Sequence, residues 1–377
     1  MNLDVFFPGR YLQQADFKSY SPVRINKQWR WNDPDINILL EKASKSLGYL
    51  NAFVELFPRF DVYSPVFYHK EVISSCRIAG LITGLDELFL QEEDILPERL
   101  DDWQQAQCYL KAFNFAVTGL NESGLTINFF KEIHKILLQT KIAEVNNMGK
   151  FRRKHKGMGE TSEQKDVFYP PNSVKINKLM EDLISFLNNN ELPIPLLIKI
   201  GIGHYQFSTI HPFSDGNGRL GRLLIIMALI KFDFLKKPLL FISDYLKRNL
   251  DAYYKSIALV RKTGRLGEWI KFFLQSLIAT SDNCIDIFKN IFSLQHDLSK
   301  HLLTCGLKMP SALKFLDLIF KIPIISRKEV SRILELTPTS ANVLIENFIR
   351  LKILEKYSGY KENRNFVFSQ YMRLFNL

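Results

Sequence analysis

The sequence predicts a mainly α-helical protein that ends in a winged helix-turn-helix domain. Apolar residues recur at helical spacing through most of the chain, strand-like alternation is scarce, and two helix-start signatures precede two short strand-like runs near the C-terminus. With 377 residues, 46% of them apolar, the chain is long enough for two or three domains and needs no covalent staple for its core.

Residues 1–115 read as an irregular, proline-containing lead-in followed by helical patterns. Residues 116–290 form a second region, built of long apolar helices around the chemical motif described below. Within it, Ile176, Leu179, Leu183 and Leu187 make one stripe between Asn172 and Asn190, while Lys175, Lys178, Glu181 and Asp182 face away, which predicts an amphipathic helix. The longest strongly apolar run, Leu223 to Ile230, predicts a buried core helix, because a membrane span needs roughly 18 residues. Residues 291–377 read as a linker helix leading into the winged module. There Ser326 and Glu329 have the spacing of a capping box that opens a helix to Leu334, and Thr337 with Pro338 opens a second helix to Leu351. Two strands, Ile353 to Tyr357 and Asn365 to Ser369, are expected on either side of a polar hairpin, the wing. From residue 310 onward Lys and Arg outnumber Asp and Glu 11 to 6, so DNA contact through this module stays open. The recognition-helix face, with Thr339, Ser340, Asn342, Glu346, Asn347 and Arg350, is poor in cations and favours protein docking or a homodimer instead.

Four widely spaced cysteines, Cys76, Cys108, Cys284 and Cys305, form no C-x-x-C pair, which argues against a zinc knuckle or disulfide framework and for a reducing compartment. Met1 to Arg10 lack the basic start and apolar run of a signal peptide, so the expected location is the cytoplasm, away from membranes. A net charge of +11 and a pI near 9.3 fit an anionic partner, such as a nucleotide, nucleic acid or acidic protein face, or simply a solvated basic surface.

Chemistry concentrates between His211 and Arg222, which spell His-Pro-Phe-Ser-Asp-Gly-Asn-Gly-Arg-Leu-Gly-Arg. Gly216 and Gly218 permit positive φ and close approach of N–H groups to an anion, ahead of a helix whose N-terminal dipole favours phosphate. Arg219 and Arg222, three apart, project from one face toward the same phosphates. Asp215 offers a hard oxygen for Mg²⁺, which takes one or two carboxylates plus substrate phosphates. His211, just before the helix-stopping Pro212, is the candidate general base, whereas His204, on an apolar face with Leu197, Ile200 and Phe207, reads as a core histidine. Gly216 to Gly221 also spells G-x-G-x-x-G, but no strand precedes it and no βαβ pattern follows, so a dinucleotide-binding fold is not predicted.

Position for position, this segment resembles the H-P-F-x-D-G-N-G-R-x-x-R signature of the Fic family, within the Fic/Doc superfamily of AMP-transferring enzymes. The resemblance implies a Fic-fold helical core with a small β-hairpin flap over the site, matched by Gly149-Lys150-Phe151-Arg152 and by Val167-Phe168-Tyr169-Pro170-Pro171, which would hold a target segment by strand addition. It implies His211 as general base, Asp215 as Mg²⁺ ligand, Gly216, Asn217, Gly218 and Arg219 on the α- and β-phosphates of ATP, and Arg222 on the γ-phosphate. Leu220 and Gly221 complete the nucleotide-binding motif, and Tyr254, near the matching Asn249, Tyr253 and Trp269, would lie beside the adenine. The implied activity is transfer of AMP from ATP to a Tyr, Thr or Ser hydroxyl of a protein, with self-modification expected at exposed tyrosines such as Tyr20 or Tyr63.

Family members with an N-terminal regulatory helix read S-x-x-x-E-G, whose glutamate pairs with the last arginine of the signature. Here the stretch is Ser75-Cys76-Arg77-Ile78-Ala79-Gly80, with alanine at the glutamate position. The resemblance therefore implies a derepressed enzyme, with Arg222 free to take the γ-phosphate and removal of AMP from targets disfavoured. Two other readings remain: a different donor on the same fold, and a winged-helix DNA-binding regulator with a Fic-type nucleotide sensor.

Overall fold

The computed structural model describes residues 1–14, 17–56, 59–140, 147–154, 157, 167–305, 309–357 and 365–375. The chain opens on an antiparallel pair that sequence periodicity does not announce: β1 (Gly9–Gln13) and β2 (Lys18–Pro22), with Tyr11 opposite Tyr20. Ser19 of β2 bridges Tyr169 in parallel, and the Tyr20 N–H donates to the Tyr169 carbonyl at 2.8 Å. The short length of both strands and their exposed outer residues hide the alternation that would have flagged them.

Helices then dominate, as the spacing predicts. They run α1 (Pro34–Leu56), α2 (Phe60–Ile78), α3 (Leu100–Ser123), α4 (Ile127–Leu137), α5 (Ser173–Asn188), α6 (Leu196–Ile210), α7 (Asn217–Lys231), α8 (Ile242–Arg248), α9 (Leu250–Thr263) and α10 (Leu266–Thr304). Three short 3₁₀ turns lie between α2 and α3. The divisions at 115 and 290 fall inside α3 and α10 respectively, so neither is a break in regular structure.

Helix α7 is the axis of the core. From Leu223 to Leu229 every side chain is at most 1% exposed, which is why the run reads as apolar on all faces. Helix α6 packs on α5 and α7, α3 on α4 and α7, and α1 along α10. The predicted stripe of α5 is buried, with Lys175, Lys178 and Glu181 in solvent. Asp182 departs from expectation: it is half-buried and accepts the Ile25 N–H at 2.6 Å and the Asn26 N–H at 3.4 Å, tying the lead-in to the core. A carboxylate with a fixed amide partner has no reason to face water.

The C-terminal region runs α11 (Met309–Lys321), β3 (Ile324–Ser326), α12 (Arg327–Ile333), α13 (Pro338–Arg350), β4 (Glu355–Lys356), β5 (Asn365–Val367) and α14 (Ser369–Arg373). The capping box forms: Ser326 Oγ accepts the Glu329 N–H, and the Glu329 carboxylate accepts from the Ser326 N–H at 2.9 Å. Thr337 caps α13, whose first helical residue is Pro338. The strands form one antiparallel sheet in the order β3-β5-β4, in which β3 is an addition to the two expected strands. The hairpin tip expected between β4 and β5 lies outside the described residues.

Helix α2 is covered on both sides. On one side Tyr63 meets Phe320 edge-on at 5.2 Å, Phe67 meets Phe375 at 5.1 Å, and Lys70 Nζ donates to the Phe375 carbonyl at 2.9 Å. Helix α2 also packs on α3, α7 and α8. Tyr63 is accordingly 2% exposed, and Tyr20, packed against Tyr11 and Phe168, is 1% exposed. Both were expected at the surface; aromatic packing from distant parts of the chain takes them out of reach as modification sites. Cys76, Cys108 and Cys284 are buried thiols and Cys305 is an exposed one. Among the described residues, no helix is long and apolar enough to cross a membrane.

Candidate functional site

The site is the junction of α6 and α7. Helix α6 ends in a left-handed residue, His211, at φ 48° and ψ 63°, a conformation that costs a non-glycine residue about 1 kcal/mol and turns its side chain out of the helix line. Pro212 and Phe213 follow, buried, and Asp215 comes to the surface. Gly216 adopts φ 73°, a backbone that favours glycine, and a Cβ there would stand 2.9 Å from Leu137 Cδ2 and push that side chain aside. Helix α7 then begins at Asn217, and its first-turn N–H groups have no intrahelical acceptors.

Asn217 braces this loop. Its Oδ1 accepts the Phe213 N–H at 2.9 Å and its Nδ2 donates to the Phe213 carbonyl at 2.8 Å. Its side chain is thus spent inside the protein, and what it can offer an anion is its main-chain N–H. Asp215 Oδ1 accepts the Gly216 N–H at 2.7 Å, which fixes the carboxylate beside the helix N-terminus.

Arg219 is 3% exposed, and its Nε and one terminal nitrogen are buried with no protein acceptor among the described residues. Leaving a guanidinium so is costly unless an anion completes it, so these orphaned donors fit phosphate oxygens. Arg222, at 2% exposure, is not left free as expected. Its Nε donates to Ser75 Oγ and a terminal N–H to the Ser75 carbonyl, both at 2.8 Å. Gly218 lies against that guanidinium; a Cβ there would be 3.2 Å from it. Ser75 belongs to α2, and Ala79, exposed at its C-cap, stands one turn further on. One turn the other way, Glu71 is buried and accepts from the Ser243 N–H at 2.8 Å and from the Ser243 hydroxyl.

Leu220 and Gly221 both pack inward. Leu220 is fully buried, and Gly221 lets α7 approach Phe207 of α6, a Cβ there coming within 3.1 Å of that ring. Tyr254 is half exposed with its ring 5.1 Å from Tyr253, which suits an aromatic platform at the rim. Of the flap, Gly149 to Arg152 and Val167 to Pro171 are described, and most of the segment between them lies outside the described residues. No group of three or more metal-ligating side chains occurs among the described residues; Asp215, held beside the helix N-terminus, is a carboxylate that fits a Mg²⁺ shared with substrate phosphates.

Sequence reasoning missed His134. Fully buried and stacked on Phe213 at 3.8 Å, it accepts the Gly149 N–H at Nδ1 (3.0 Å) and so donates from Nε2 to the Asp215 carbonyl (3.1 Å). It links the loop to the Gly149 segment, and an amphipathic-helix pattern alone cannot reveal that. Tyr109 adds a second brace, its hydroxyl donating to the Arg219 carbonyl at 3.1 Å. His204 is the core histidine expected: Nδ1 donates to the Gly221 carbonyl and Nε2 accepts from the Tyr253 hydroxyl, both at 2.8 Å.

Burial pushes His69, His134 and His204 down to about 3, about 4 and about 4, and holds Glu71 up at about 7. Between the ordinary histidine value of 6.5 and the ordinary glutamate value of 4.5, the unfolded chain protonates each imidazole that the folded chain keeps neutral. The folded chain, in turn, holds one extra proton on Glu71. The imbalance favours unfolding as pH falls, at roughly 3 kcal/mol per pH unit for these four groups together. Thermal melts from pH 7 to pH 5 should show a steadily falling midpoint; a flat profile would contradict the burial of these rings.

Residues 124–229 match the model of the Fic/DOC family, and residues 38–118 match that of the Fic/DOC family N-terminal region. A probable protein adenylyltransferase, aq_aa38, of Aquifex aeolicus (strain VF5) is 33% identical over 98 residues, which are 26% of this chain and 30% of that protein. Protein adenylyltransferase Fic of Aedes aegypti is 28% identical over 169 residues, covering 38% of this chain and 32% of its own. The chain thus spans about a third of the length of these relatives. In overall fold it is similar to the crystal structure of a Fic family protein from Desulfovibrio desulfuricans G20, with a TM-score of 0.59 at 19% identity, covering 91% of this chain and 98% of that one.

Proposed function

The chain belongs to the Fic/DOC family through residues 38–118 and 124–229, and from that premise we propose that it transfers AMP from ATP to a hydroxyl side chain of a protein. One observation carries the reading: a glycine turn opens helix α7, and in the first turn of that helix Arg219 has two buried guanidinium nitrogens with no acceptor among the described residues. That is a receptacle for a polyphosphate. His211, at the edge of the same turn, is the general base that takes the proton of the target hydroxyl.

The hydroxyl oxygen bonds to the α-phosphorus as the bond to the bridging oxygen of the β-phosphate breaks, and pyrophosphate leaves. The first-turn N–H groups of α7 and Arg219 hold the α- and β-phosphates in place, and Arg222 takes the γ-phosphate once it exchanges Ser75 for it. Asp215 would hold Mg²⁺, whose charge offsets that of the departing pyrophosphate. Tyr254 offers the adenine a stacking face.

We further propose that the enzyme is derepressed. At Ser75, Arg222 meets a neutral hydroxyl and a carbonyl, a hold weaker than the charge-assisted one a carboxylate at position 79 would give. A γ-phosphate outcompetes the neutral hold. The C-terminal module is read as a winged helix that docks protein, since Arg327, which could reach a phosphate backbone, is paired with Glu346 at 3.2 Å. The test of function is incubation with α-labelled ATP and Mg²⁺ in a cell lysate, followed by mass spectrometry. An adenylyl group on protein hydroxyls is the expected result; absence of label from every protein, the chain itself included, refutes it.

A further inference from the structure

We infer that Arg152 is a positioning residue for His211: its guanidinium grips the end of α6 and the return limb of the flap together, and so holds the base in its left-handed turn. The kinetic half of this inference rests on the adenylyl-transfer reading above; the structural half does not.

Arg152 is 4% exposed, so its charge is inside the protein. Its Nε donates to the His211 carbonyl at 2.9 Å. One terminal nitrogen donates to the Pro171 carbonyl at 2.5 Å and reaches the Ile210 carbonyl at 3.4 Å. The other reaches the Lys154 carbonyl at 3.4 Å, and the main-chain N–H donates to the Pro212 carbonyl at 2.9 Å. The carbonyls of Ile210, His211 and Pro212 are therefore all engaged by this one residue.

The chemistry explains the choice of residue. A helix C-terminus presents carbonyls that have lost their intrahelical donors, and it carries the negative end of the dipole. A guanidinium answers both needs, because its donors spread in a planar fork and its charge suits the dipole. Among the described residues its side-chain acceptors are all carbonyls, and burial pushes the guanidinium down to about 10. A buried cation is an expensive way to fill a core, since an apolar side chain would pack as well without the desolvation. What it provides is a rigid link between two segments that have to meet at the reacting atoms: the turn that aims His211, and Pro171, next but one to Tyr169, which is joined to β2.

A lysine keeps the charge but presents its donors from a single point and cannot span Pro171 and His211 at once. Arg152→Lys and Arg152→Gln are therefore the informative variants, assayed well below their melting temperatures. At saturating target, kcat for AMP transfer should fall at least tenfold while KM for ATP stays within about twofold, with Arg152→Lys retaining more activity than Arg152→Gln. A second readout needs no turnover. Histidine-selective NMR, with the His211 ring assigned by its loss in His211→Asn, should show that resonance and its titration shifted in Arg152→Lys while those of His204 stay in place. A wild type that transfers no AMP sinks the functional reading and leaves the NMR comparison to decide the clamp. Unchanged kcat in a folded variant of an active enzyme, or an unmoved His211 ring, overturns the inference.

Discussion

Replacing His211 by asparagine should cut AMP transfer by roughly 10²- to 10⁴-fold while ATP binding stays within a few-fold. The expectation follows from a division of labour along the loop. The groups suited to the triphosphate, the first-turn N–H groups of α7 and the unpartnered nitrogens of Arg219, all lie C-terminal to Asp215. His211 lies on the other side, at the left-handed end of α6. Asparagine tolerates that backbone better than most residues, so it removes the base without adding strain, which alanine would not do as cleanly. Label incorporation from α-labelled ATP measures the first quantity and calorimetry the second. Turnover that survives intact would remove His211 from the chemistry, and a parallel collapse of ATP affinity would make it a structural residue of the loop.

Ala79→Glu should lower activity by about 10- to 100-fold. Hydrogen bonds to charged groups contribute about 1.5–3 kcal/mol, and each 1.4 kcal/mol is a factor of ten, so a carboxylate that captures Arg222 competes at that level with the γ-phosphate. Ala79 is exposed at the C-cap of α2, where a longer side chain has room to form. The companion variant Ser75→Ala removes the hydroxyl half of the neutral hold, leaves the carbonyl half, and should leave activity unchanged or raise it slightly. Auto-modification with labelled ATP reads both. If Ala79→Glu is as active as the parent, Ser75 to Gly80 is not an inhibitory segment, and Ser75 merely packs against Arg222.

The loop and its caps were legible because their causes are local. Gly216 needs its φ, Ser326 and Glu329 satisfy each other, Thr337 and Pro338 start a helix, and all of this is written within a few positions. The burial of Leu223 to Leu229 was legible for the same reason, since an apolar run of that length has nowhere else to go. What stayed hidden depends on partners far away in sequence. Tyr20 and Tyr63 look like surface tyrosines until Phe168 and Phe320 are brought onto them. Asp182 looks solvated until Ile25 arrives, and His134 carries no signal until Gly149 and Asp215 flank it. The missing carboxylate at position 79 implies a free Arg222, whereas Ser75, which opens that same stretch 147 residues earlier in the chain, accepts its donors through hydroxyl and carbonyl.

Helix α2 is a party wall. Ser75 grips Arg222, proposed above for the outermost phosphate, while Lys70 and Phe67 of the same helix are nailed to the Phe375 carbonyl and ring. Cutting away residues 365–375 would therefore strip the plaster from the helix that holds Arg222, uncovering Phe67 and leaving Lys70 without its carbonyl. Residues 365–375 belong, physically, to the masonry behind the proposed site.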